Sequence, residues 1–262
     1  MIAALTLAAA AMAYGFGPDT TVTYVSNVDF DGMIPVLGGQ EGKAEVRMEI
    51  RVNGLTLDES GNQRATSELT DFRMEFNGAR MPFTVANVSD FLPKATVLFT
   101  PQGEVLENDA PDRDLPVKLP FLHPKRIPDI TFLPIQFPRT PVEVGTKWEF
   151  ERQFGDVPVA YKVEAKQIEG DKATLAVEVS QTYTVLEDES KSVAAKQEDA
   201  IAQVKTIVKG TGTIVFDMAK KLVQSTDVQA KSVSTVTDLK DGKSTTRELL
   251  IRIRLAPKPA SP

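Results

Sequence analysis

Apolar and polar residues alternate with a period of two over much of the chain. Val46, Met48, Ile50 and Val52 share one parity, and Glu45, Arg47, Glu49 and Arg51 share the other. Such spacing predicts a β-strand with one face on a core and the other in water. Leu249, Ile251, Ile253 and Leu255 stand in the same way opposite Glu248, Arg252 and Arg254. Further strands are predicted over 20–30, 67–76, 94–100, 146–154, 157–168, 173–185, 203–217, 221–236 and 244–255. Turn signals separate them, among them Asn53-Gly54, Asn77-Gly78, Glu169-Gly170-Asp171 and Asp241-Gly242. Links this short favour antiparallel pairing, and strands polar on one side predict a sheet wetted on one face. The expected fold is mainly β, a large antiparallel curved sheet or half-barrel of about ten or eleven strands. At most one short helix is expected; Ser192 to Gln203 contains good helix formers, and a polar loop fits it as well.

Between Asn108 and Pro141 the pattern breaks, and eight of the 17 prolines fall there. Proline removes a donor and pushes its predecessor to extended geometry, so neither helix nor central strand is expected. Yet the segment also carries Leu119, Phe121, Leu122, Ile127, Ile130, Phe132, Leu133, Ile135 and Phe137. That much apolar surface predicts an ordered strap packed over the sheet. Residues 14–256 then form a single β-rich domain, with halves near 18–107 and 142–256 joined by the strap 108–141 and followed by a Pro-rich tail, 257–262. The segment Thr96–Glu107 aligns without gaps on Thr213–Gln224, each reading as strand, turn and return strand. Duplication explains that likeness, and so does the shared physics of β-hairpins.

At the N-terminus, Ile2 to Ala13 is small and apolar apart from Thr6 and ends in Ala11-Met12-Ala13, a small-x-small pattern that fits a signal-peptidase site. The run is shorter than the ~20 residues that span a bilayer. Export to a periplasm or beyond the cell is the expectation, with 1–13 removed. No basic residue precedes the run, and a buried N-terminal helix is the competing reading.

The segment Phe137-Pro-Arg-Thr-Pro-Val-Glu-Val-Gly-Thr-Lys-Trp148 enters a V-x-V-G-x-x-W strand, and Gly210-Thr-Gly-Thr-Ile-Val-Phe-Asp217 reads G-x-G-x-I-x-F-D. The two together resemble a domain of unknown function in secreted bacterial β-rich proteins. Where those proteins carry Gly in the turn, this chain has Lys220. The resemblance spans about residues 137–230, implies a secreted β-rich domain and supplies no catalytic residues. Size and strand order resemble, at greater distance, the lipoprotein-carrier half-barrels, whose concave sheet shelters acyl chains.

Composition narrows the chemistry. The chain is 42% apolar and 25% charged, with net charge −6, which argues for a globular protein and against a nucleic-acid binder. Without cysteine there is no disulfide, no thiolate metal site and no lipid anchor through cysteine. His123 alone makes no multi-histidine metal centre, and no nucleophile-elbow or zincin motif accompanies it. Asn108–Asp114 clusters carboxylates as a calcium loop would, but Arg113 and Pro111 favour a solvated turn. The arginines of 244–255 fit a charged edge strand. No catalytic residue, metal or cofactor is expected, nor a transmembrane span. The residues best placed for a ligand are Phe121, Phe132, Leu133, Phe137 and Trp148, where the strap meets the sheet. They line a pocket for an apolar, lipid-like molecule or else fill a core. The expected function is an exported, non-catalytic binder of an apolar ligand; the alternative is a structural or protein-interaction module with an envelope protein as partner.

Overall fold

The computed structural model describes residues 10–34, 37, 39–113 and 117–259. Residues 1–9 of the apolar N-terminal run, Asp114 of the acidic loop and 260–262 of the tail lie outside the described residues. Twelve strands form one antiparallel sheet. The first six are β1 (Thr21–Ile34), β2 (Gln40–Leu57), β3 (Gln63–Phe76), β4 (Ala79–Arg80), β5 (Ala95–Phe99) and β6 (Val105–Asn108). The others are β7 (Lys147–Phe154), β8 (Val157–Glu169), β9 (Lys172–Glu187), β10 (Ala202–Asp217), β11 (Leu222–Asp238) and β12 (Ser244–Pro257). Their order is β6-β5-β3-β2-β1-β12-β11-β10-β9-β8-β7, with β4 paired to β3. Two meanders therefore meet at the β1–β12 seam, where Val28 faces Ile253. The sheet stays open, since β6 and β7 end it at opposite edges and do not pair with each other.

Turn chemistry is local. Asn77 and Gly78 both take positive φ, 49° and 78°, which suits the tight hairpin between β3 and β4. Alternation then sorts the faces: in β9, Ala173, Leu175, Val177 and Val179 are buried while Glu178, Ser180 and Thr182 are exposed. The hairpins of the internal repeat sit in unlike places. β5–β6 is short and at an edge, whereas β10–β11 is long and interior.

This topology forces the chain to travel from one sheet edge to the other, and the proline-rich strap makes that passage across the apolar face. Two expectations need correction. The strap does hold a helix, α2 (Ile127–Phe132), because Pro128 falls in its first turn, where no backbone donor is needed. A shorter helix, α1, covers Val85–Val88. The charged C-terminal strand is not an edge: β12 pairs with β1 and β11 at the middle of the sheet. Ser192–Gln203 forms a loop with one 3-10 turn at Gln197–Asp199 before β10 begins.

Rings from three sources make the core under the strap. Phe16 packs edge-on to Phe132 at 5.2 Å and to Phe99 at 5.9 Å, while Tyr14 lies 5.2 Å from Phe137 and 5.4 Å from Phe216. The N-terminal segment thus docks between strap and sheet. Gln63 holds it as a neighbouring strand would: the Phe16 N–H donates to its Oε1 at 2.5 Å, and its Nε2 donates to the Tyr14 carbonyl at 2.6 Å. Ala10 bridges Val142, and Met12 is buried. Cleavage after Ala13 would remove these last two contacts and leave Tyr14 and Phe16 in place.

Candidate functional site

A strap rich in proline has more acceptors than donors, so its carbonyls must find partners on the sheet. Side chains supply them. Trp148 Nε1 donates to the Gln136 carbonyl at 2.8 Å, the Tyr14 hydroxyl to Ile135 at 2.9 Å, and Arg152 Nη2 to Leu133 at 2.5 Å. From β9, Gln181 Oε1 accepts the Phe121 N–H at 3.0 Å, and the Tyr183 hydroxyl reaches the Lys118 carbonyl at 3.4 Å. Burial drives the Tyr183 hydroxyl up to about 12.

Between strap and sheet lies a cavity of about 110 Å³. Its roof is Phe121, Leu122, Ile127, Ile130, Thr131 and Pro134; its floor runs from Met48 on β2 through Val28, Ile253, Val228 and Ile214 to Tyr161 on β8. No charged side chain lines it among the described residues. Phe121 holds φ at +59°, an uncommon conformation for an aromatic residue, and keeps it through the Gln181 bond and its buried ring.

Of the five residues expected to hold a ligand, Phe121 alone lines this cavity. Phe132 and Leu133 are fully buried and Phe137 nearly so, all three in the core cluster. Trp148 is half-buried against that core with its indole N–H committed to the strap. The cavity residues that spacing missed are mostly ordinary inward positions of the strands. Ser26 and Thr226 left a signal, as polar residues on the core-facing parity.

Beside the cavity sits a buried charged group. Asp129 of α2 is fully buried, accepts from Arg126 Nη1 at 3.0 Å and lies in the field of Arg152. Burial pushes its carboxyl up, against the pull of Arg152 and Arg126. Asp129 Oδ1 and Arg152 Nη1 have no hydrogen-bond partner among the described residues. Tyr161, which lines the cavity and stacks on Phe150 at 4.5 Å, lies in the field of this group and has its hydroxyl raised by burial.

Size alone would favour a different place, a groove of about 1020 Å³ touched by the polar-face residues Lys162, Glu178, Lys209 and Arg252. Its charges are of both signs and several are already paired, Lys43 with Asp31 at 3.3 Å and Arg252 with Asp227 at 2.6 Å. It selects no ligand chemistry. His123 Nδ1 accepts the Lys125 N–H at 3.3 Å and caps the turn before α2. In the acidic loop Asp109 accepts the Thr96 N–H and Asp112 pairs with Lys125. No three acidic or histidine side chains are placed to hold a metal among the described residues, nor is any helix there long and apolar enough to cross a membrane.

No protein-family model matches the chain, and no curated protein matches it either. Solved structures do. A structure described as lipid–protein interactions in lipovitellin superposes with a TM-score of 0.51 at 13% identity, covering 95% of this chain and 26% of that one. This chain therefore spans about a quarter of the lipovitellin chain, and the likeness is one of fold. DynF from the dynemicin biosynthesis pathway of Micromonospora chersina aligns over 98% of this chain and 90% of its own at 9% identity, with a TM-score of 0.23 that carries no argument. The chain, a broad antiparallel sheet crossed by its own strap, is thus similar in fold to a segment of lipovitellin.

Proposed function

We propose that this protein is an exported, non-catalytic binding protein that holds an apolar molecule between its strap and the apolar face of its sheet. One observation carries the reading: the cavity under Phe121 and α2 is walled mostly by aliphatic and aromatic side chains, with a few hydroxyls and without a charge among the described residues. Apolar cavities take up small apolar molecules; an apolar void of about 150 Å³ accommodates benzene. At about 110 Å³ the cavity is smaller than a lipid chain, so a longer ligand needs more room than the strap leaves here. The lipovitellin likeness supports a sheet of this shape as a shelter for lipid.

Solvent extraction of the protein purified from its own host, followed by mass spectrometry, tests the reading. A repeated apolar compound at near-stoichiometric amount supports it. A ligand-free protein that takes up neither Nile red nor benzene refutes it. Capture of one repeated envelope protein by such a ligand-free chain would establish the interaction module instead. Export is tested by the mass of the protein in the periplasm or medium, which should begin at Tyr14.

A further inference from the structure

We infer that the cavity selects uncharged ligands carrying one hydrogen-bonding oxygen, such as an alcohol or a phenol, and rejects carboxylates. The inference rests on the apolar-ligand reading above and names the ligand class. Two observations carry it. First, the cavity has no charged lining residue among those described. An anion placed there would lose its hydration without a counter-charge, a cost that a neutral molecule escapes.

Second, the wall carries an unmet hydroxyl. Thr226 is 7% exposed, lines the cavity, and its Oγ1 has no hydrogen-bond partner among the described residues. Ser26, also on the wall, shares its cross-strand row, since both pair with Leu255 across β12. Of the remaining lining hydroxyls, Thr131 Oγ1 donates to the Ile127 carbonyl at 2.7 Å. A buried hydroxyl without a partner is costly. A ligand oxygen beside Thr226 would meet that need, while the ring or chain attached to it fills the apolar volume.

Benzene, phenol and benzoate share a ring and separate the possibilities when titrated by ligand-observed NMR. Phenol should bind about five-fold more tightly than benzene, the worth of one net hydrogen bond, and benzoate should show no saturable binding. In Thr226→Val, which keeps the side-chain shape, phenol should fall to the benzene level while benzene is unchanged. Benzoate binding as well as phenol, or a phenol preference that survives Thr226→Val, overturns the ligand class and leaves the apolar cavity standing. If none of the three binds, the proposed function falls with it.

Discussion

The strap is held partly by a buried charge, and removing that charge has an effect whose size and pH dependence both follow from the structure. Arg152 is 7% exposed, donates to the Leu133 carbonyl, lies over the Phe150 ring at 5.8 Å and pulls down the Asp129 carboxyl. Arg152→Met keeps much of the packing and leaves Asp129 with Arg126 as its one cationic partner. Loss of one member of a buried ionic group costs about 3–5 kcal/mol. At about 2–4 °C per kcal/mol for a domain of this size, the melting temperature near neutral pH should fall by roughly 10 °C. In the unfolded chain Asp129 titrates near the ordinary value of about 3.9. In the fold burial raises it, so stability declines as pH rises through the window between the unfolded and folded values. Without Arg152 the folded value rises further and the window extends upward. The gap between variant and wild type should therefore widen from acid to mildly alkaline pH, and narrow toward acid as Asp129 takes up its proton. Urea denaturation across that range measures it, and Asp129→Asn added to Arg152→Met should recover part of the loss at high pH. A gap independent of pH, with no recovery in the double variant, would refute the coupling.

Three further perturbations test how the strap and N-terminal segment are seated. Gln63→Leu strands the Phe16 N–H and the Tyr14 carbonyl; at about 1–3 kcal/mol for each buried group left unpaired, it should cost about 2–6 kcal/mol in denaturant unfolding. Phe132→Ala should destabilise by about 3–5 kcal/mol, yet leave phenol binding intact, because the ring is fully buried in the core and does not line the cavity. Loss of binding without loss of stability would instead make Phe132 a ligand residue. Gly103 has φ +87°, and a Cβ there would stand 2.8 Å from the Ile135 carbonyl oxygen and 2.5 Å from the Tyr14 ring. Gly103→Ala should therefore loosen the strap, read as faster hydrogen exchange at Phe137, whose N–H donates to Gln102 in the same turn.

Alternation and turn residues made the strands legible: 157–168 and 203–217 are β8 and β10 within a residue or two. Period two reports which face a residue takes and says nothing of which strand lies beside it. The β1–β12 seam, which joins the chain's two ends, and the demotion of the charged β12 from edge to centre were accordingly hidden. Helix α2 was hidden because proline reads as a breaker unless its place in the first turn is known. The apolar content of the strap foretold that it packs, but ring size drew attention to Phe132 and Phe137, which fill the core, while the cavity is walled largely by strand positions. The more telling residues break the alternation. Ser26, Gln63, Gln181, Tyr183 and Thr226 are polar side chains buried on the core-facing side of their strands. A buried polar group needs a partner, and a sheet ladder already pairs its own backbone. Such residues therefore mark where backbone outside the sheet comes to rest: Gln63 takes the N-terminal segment, and Gln181 and Tyr183 take the strap. Thr226 breaks the pattern in the same way and finds no protein partner among the described residues. On the proposal above, the oxygen of the bound ligand is that partner.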